Sequence, residues 1–117
     1  MAASDHINQV TKTAYEQLKA KYPNTRLGLS AYPDRMHLDV LIVPKEERRQ
    51  GIGSSIMSEL TSVADQENLT MSVTPSTSFG GSKAGLDRFY RKFGFSPNRG
   101  KYKDFSVKES MLRKPTK

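Results

Sequence analysis

Apolar side chains at Ile7, Val10, Ala14 and Leu18 recur at helical spacing behind a Ser4-Asp5 start that can cap a helix. They predict an amphipathic helix over residues 5–21, stopped by Tyr22-Pro23-Asn24. Residues 26–32 alternate loosely as a strand, Pro33-Asp34-Arg35 reads as a turn, and residues 36–43 read as a second strand with an apolar end. The pair predicts an antiparallel hairpin. A polar stretch, residues 44–50, leads into Gly51-Ile52-Gly53-Ser54, and Ile56, Leu60, Val63 and Ala64 then share one face of a second helix.

Residues 69–73 supply another short strand, and the small and polar residues of 74–82 predict a loop. Leu86, Phe89, Tyr90 and Phe93 return to helical spacing, and Gly94 ends that helix, where a left-handed residue is easiest for glycine. Weak strand signals at Phe105-Ser106-Val107 and Ser110-Met111-Leu112 suggest a final hairpin that closes the sheet. The order helix, strand, strand, helix, strand, helix, strand predicts an α/β fold, a mixed sheet with helices on its faces. No linker or repeat divides the chain, so residues 1–117 read as a single domain.

Composition narrows the chemistry. With 117 residues the chain closes one core, and 35% apolar with 26% charged residues is ordinary for a soluble protein. The absence of cysteine removes disulfides, thiolate metal sites and a Cys nucleophile together. His6 and His37 are the only imidazoles, and no carboxylates stand at ligand spacing beside them, so no metal is expected. No run of apolar residues is long enough for a membrane span and the start lacks a signal-peptide pattern; a cytoplasmic location is the expectation. The net charge of +7 points to a polyanion as partner, be it a phosphorylated cofactor, a nucleic acid or an acidic protein, while excess surface lysine also needs no partner.

Glycines in the first turn of a helix let an anion approach free backbone N–H groups, and the helix dipole favours negative charge there. Gly51 and Gly53 occupy such a turn. A Walker loop needs Gly-Lys-Ser/Thr, which Gly53-Ser54-Ser55 does not supply. A dinucleotide fingerprint needs a third glycine and a turn directly after the strand, whereas here a charged loop intervenes.

Arg48-Arg49-Gln50-Gly51-Ile52-Gly53 does resemble the coenzyme A signature of the GNAT acetyltransferases, Arg/Gln-x-x-Gly-x-Gly/Ala after a strand and loop. Phe89-Tyr90-Arg91-Lys92-Phe93-Gly94-Phe95 is similar to the aromatic-Tyr-x-x-x-Gly-Phe helix end found downstream in that family. The resemblance spans residues 36–95 and suggests a compact, phage-type member. It implies a mostly antiparallel central sheet with helices on both faces, acetyl-CoA as cosubstrate, and transfer of an acetyl group to a primary amine by direct attack. Gln50, Gly51, Ile52, Gly53 and Ser54 would hold the pyrophosphate with one of Arg48 and Arg49, and backbone groups of Leu41, Ile42 and Val43 would pair with the pantetheine arm and polarise the thioester. Tyr90 would protonate the departing thiolate. Many relatives have Asn at the start of the last helix and Ala one turn before the tyrosine; here Lys83 and Leu86 stand there, which puts the asparagine's contact in doubt and leaves Lys83 to reach a phosphate or a pantetheine carbonyl.

An alkylammonium needs a base before it can attack. His37, where some relatives keep a catalytic glutamate, and Asp39, on the same side of the strand by alternation, are the candidates beside a purely structural role. The family's additional N-terminal strand and helix are not evident, so the acceptor side is abbreviated or completed by a second subunit, which raises a homodimer. The acceptor is open: a protein lysine, another macromolecular amine, or a small amine. Two other readings stand beside the enzyme. One is a basic module contacting nucleic acid through residues 98–117, where Lys and Arg interleave with Tyr102 and Phe105. The other is a non-catalytic CoA-binding interaction protein.

Overall fold

The computed structural model describes residues 3–47, 50–74, 83–98 and 111–115, with Ala3, Ser4 and Lys83 by their backbone alone. Helix α1 runs Ala3–Lys21 and buries Ile7, Ala14 and Leu18 of the stripe read from the sequence, with Val10 half-buried against the core and Thr11 buried beside it. Its end is fixed by Lys19, whose Nζ donates to the Thr25 carbonyl at 2.7 Å. Strands β1 (Arg26–Tyr32) and β2 (Arg35–Ile42) then pair antiparallel. The turn between them is shorter than expected, because Arg35 already pairs with Tyr32.

A short 3-10 turn, Lys45–Glu47, precedes α2 (Ile52–Gln66), which buries Ile56, Met57, Leu60, Thr61 and Ala64. Asn68 closes α2 at φ 59°, and Leu69 N–H reaches back to the Ala64 carbonyl at 2.7 Å, the paired bonds of a left-handed helix stop. Strand β3 (Thr70–Val73) lies parallel to β2, and α3 (Lys83–Lys92) ends at Gly94, φ 97°.

Two features differ from the sequence expectation. Ser96–Pro97 forms a two-residue strand, β4, and β5 (Met111–Arg113) inserts between β3 and β4. The sheet order is β1-β2-β3-β5-β4, with one parallel pairing and three antiparallel ones. The signal at Phe105-Ser106-Val107 lies outside the described residues.

The core sits between the sheet and the helices α1 and α2: Met36, Leu38, Met71 and Val73 project from neighbouring strands into one cluster with Leu18, Ile56 and Leu60. Burying such side chains is the main stabilising term, about 1.5–3 kcal/mol each. The far end is held by a charge. Arg113 is buried, its two terminal nitrogens each 2.9 Å from an Asp65 oxygen, and its Nε donates to the Phe93 carbonyl at 2.7 Å. One guanidinium thereby joins β5, the end of α2 and the end of α3. It also lies against Gly94, where an added Cβ would stand 3.2 Å from Nε.

Arg113→Ala is expected to lower unfolding free energy by about 3 kcal/mol, because it leaves the partly buried Asp65 carboxylate without its fork-shaped partner. Arg113→Lys should recover little of it, since an ammonium cannot make the parallel pair. Urea denaturation of the three proteins checks this.

Candidate active site

Strand β2 is longer than its parallel partner. The β2–β3 ladder covers Arg35–Leu38 against Thr70–Val73, while β2 continues to Ile42, still paired with β1. The ladder stops where β3 itself ends at Val73, and from Asp39 onward β2 parts from it and runs on paired with β1 alone among the described strands.

The parting begins at a bulge. In the β1–β2 register Leu29 opposes Leu38 and Gly28 opposes Val40, so Asp39 is the extra residue. A Cβ at Gly28 would lie 2.8 Å from Val40 Cγ1 and 3.3 Å from Asp39 Cβ; both side chains therefore crowd the face over Gly28, and only glycine leaves them room. Alternation resets there. Leu38 and Leu41 both turn to the core although three positions apart.

Beyond the strand end the chain reaches the glycine turn. Gly51 is the N-cap of α2 at φ 74°, and apart from its chain neighbours no atom of the described residues lies within 4 Å of where its Cβ would be. It is a left-handed residue facing open space. Gly53 is the opposite case: its Cβ position lies 3.6 Å from Phe89 Cζ and 3.8 Å from Val43 Cγ2. The start of α2 is thus seated between the end of β2 and α3. Its first N–H groups have no acceptor within the helix and point out at that junction.

Of the residues singled out from the sequence, Val43, Gly53 and the aromatic helix are brought together by this packing. Strand β2 itself ends at Ile42, one residue earlier than expected. Leu41 and Ile42 lie on the stretch of β2 beyond the β3 ladder, Ile52 and Ser54 are half-buried in the first turn of α2, and Gln50 is exposed. Arg48, Arg49 and the Lys83 side chain lie outside the described residues.

Tyr90, on α3, is buried and edge-on to Phe89 and Phe95, with ring centroids 5.2 and 5.8 Å away. Burial pushes its phenol above the ordinary value, so the hydroxyl is protonated at neutral pH and a weaker acid than an exposed tyrosine.

His37 is buried on the face opposite Met36 and Leu38. Its Nδ1 is 2.8 Å from Ser72 Oγ, its ring stacks on Tyr32 at 5.5 Å, and its Nε2 is 3.6 Å from Asp39 Oδ1. Asp39, more exposed, also accepts from Ser30 Oγ at 2.6 Å. Arg35 closes the group from the other side: its Nε donates to Ser72 Oγ at 3.0 Å and its guanidinium lies 4.4 Å above the Tyr32 ring. Ser72 and Arg35 carry no local sequence signal; only the parallel register, which sets Ser72 against His37, reveals them. The grouping looks like a serine nucleophile with its base, but Ser72 is fully buried and its oxygen already accepts from Arg35, so it is not placed to attack anything.

A GNAT acetyltransferase domain model matches residues 2–105. The chain belongs to the GNAT acetyltransferase family, whose members use acetyl-CoA. Among solved structures the chain is similar to Ard1 from Thermoplasma volcanium, with TM-score 0.53 and 20% identity over 92% of this chain and 81% of that one. It is also similar to Chaetomium thermophilum Naa20 in complex with a bisubstrate analogue, with TM-score 0.51 and 20% identity over 86% of this chain and 71% of that one. Among curated proteins no sequence matches. The five-stranded mixed sheet with its helices is a GNAT-like fold, as the resemblance implied.

The two glycines should respond oppositely to alanine. Gly51→Ala is expected to cost about 1–2 kcal/mol in backbone strain. Gly53→Ala, whose methyl meets only ordinary contacts, should be neutral or stabilising by up to about 1 kcal/mol through helix propensity; urea midpoints distinguish the two. The raised Tyr90 phenol gives a second test. The unfolded chain ionises this tyrosine near pH 10 while the folded chain resists, so stability should fall as pH rises past that point, and fall less in Tyr90→Phe.

Proposed function

We propose that this protein transfers an acetyl group from acetyl-CoA to a primary amine, with the pantetheine arm entering where β2 leaves β3 and the pyrophosphate resting on the first turn of α2. One observation carries the reading: the convergence of the β2 end at Val43, the start of α2 at Gly53, and the aromatic helix at Phe89. The open side of Gly51 gives a phosphate room against backbone N–H groups. That a family relative holds a bisubstrate analogue agrees with donor and acceptor meeting in one groove.

On this reading backbone groups of Leu41, Ile42 and Val43 pair with the pantetheine amides, and one N–H steadies the negative charge that develops on the thioester oxygen. Such a preorganised donor contributes about 3 kcal/mol in enzymes where it has been removed. The acceptor ammonium loses its proton at the His37–Asp39 pair or to water held there. The neutral nitrogen then attacks the carbonyl carbon, the C–N bond forms, and the C–S bond breaks. The departing sulfur takes the proton of the Tyr90 hydroxyl, and the second proton, shed by the nitrogen as the amide forms, restores the phenol by way of water. Arg48, Arg49 and Lys83 add positive charge for the phosphates. The rival basic surface at residues 98–117 is weakened at two positions, since Asn98 and Arg113 are both buried.

Titration calorimetry should show acetyl-CoA binding to the parent protein and its loss in Ser54→Glu, a variant whose new carboxylate suits a helix start yet repels a pyrophosphate. No binding by the parent up to about a millimolar, roughly 4 kcal/mol, would sink the reading. Where thiol release identifies an accepted amine, Tyr90→Phe should lower kcat about 100-fold with acetyl-CoA affinity retained.

A further inference from the structure

The string Arg35, Ser72, His37, Asp39, Ser30 crosses three strands on one face of the sheet, and its exposed end is the bulge where β2 leaves β3. Hydrogen-bond chemistry orders it. Arg35 Nε can only donate, so Ser72 Oγ accepts there; of the two arrangements open to a hydroxyl with a second lone pair, the one that satisfies its own buried proton donates to His37 Nδ1, 2.8 Å away. A ring whose Nδ1 accepts carries its proton on Nε2, and Nε2 faces Asp39 Oδ1. His37 then has no lone pair turned toward the bulge. What it offers is a donor, and the group that meets an incoming substrate is the Asp39 carboxylate.

Tyr32 fixes the plane of this arrangement, with the imidazole stacked at an interplanar angle of 15° and the Arg35 guanidinium lying over the same phenol ring. Ser30 holds the other carboxylate oxygen at 2.6 Å. A carboxylate steadied from two sides yet 39% exposed at its side chain is suited to receive a cation. Space lies next to it: Asp39 helps to wall an open cleft of about 430 Å³ between α1 and β1, lined by the apolar Leu27, Leu29 and Ala31 and, from α1, by Lys12 and Tyr15.

We propose that Asp39 receives the cationic amine of the acceptor and selects for positively charged acceptors, while Ser72 and Arg35 act through His37 as positioning residues. The proposal rests on the acetyl-transfer reading for its meaning, but its test needs no acetyl-CoA, so the two can fail separately. It also divides the roles of the two candidate bases: the imidazole orients and the carboxylate meets the amine.

Only two histidines are present, so the His37 ring can be followed by nitrogen-15 NMR with His6→Gln for assignment. The parent should show the Nε2–H tautomer, Ser72→Ala should lose that preference, and Ser72→Thr should restore it. Titrating 1,4-diaminobutane should move the His37 signals saturably. Asp39→Asn, which keeps the shape and a partner for Ser30, should abolish the movement, and 1-butanol should cause none. An Nδ1–H tautomer in the parent, no response to the diamine, or a response that survives Asp39→Asn would each overturn the proposal.

Discussion

One extra residue in β2 governs the architecture of the site. Without the bulge at Asp39, the alternation that buries Met36 and Leu38 would bury Val40 next and turn Leu41 outward. With it, β2 keeps an apolar face on the core and a full ladder with β1 while its other edge leaves β3. The constraint is steric as much as electrostatic, because the two side chains displaced by the bulge fit only over a residue with no Cβ, and Gly28 is that residue. The bulge is therefore built into the strand pairing and needs no ligand to form it.

The second organising element is the seating of α2. A helix start is useful to an anion only if it is held rigidly and left uncovered, and these demands conflict. The two glycines divide them. At Gly53 the first turn lies within ordinary contact distance of Phe89 and the end of β2, which seats the helix, while Gly51 takes a backbone conformation that side chains avoid and has open space beside it among the described residues. Behind them Arg113 ties the ends of α2 and α3 to β5, so the first and last turns of α2 are both anchored.

Much of this was legible in the sequence where the signal is local. Helical periodicity gave α1, α2 and α3 to within a few residues, and glycine spacing with the aromatic helix pointed to the region where Val43, Gly53 and Phe89 meet. What was hidden depends on pairings between distant segments. The bulge is a matter of register, and a strand reads the same with or without it until its partner is known. Strand β4 is two residues long and contains a proline, too short for a period-2 pattern. Ser72 and Arg35 are ordinary residues 37 positions apart until the parallel pairing joins them, and Asp65 and Arg113 are separated by 48.

The insertion of β5 between β3 and β4 bears on the order in which the molecule assembles. The β1–β2 half of the sheet and α1 are contiguous in sequence and close short loops. The β3–β4 half has no direct pairing of its own and waits for Met111–Arg113, which must thread into the gap and satisfy both neighbours at once. Closing that longer loop carries an entropic cost before any contact rewards it. The two halves of the sheet thus differ in what they demand of the chain: β1 and β2 pair at short separation, whereas β3, β5 and β4 come together only across a long one, where Arg113 also joins the ends of α2 and α3.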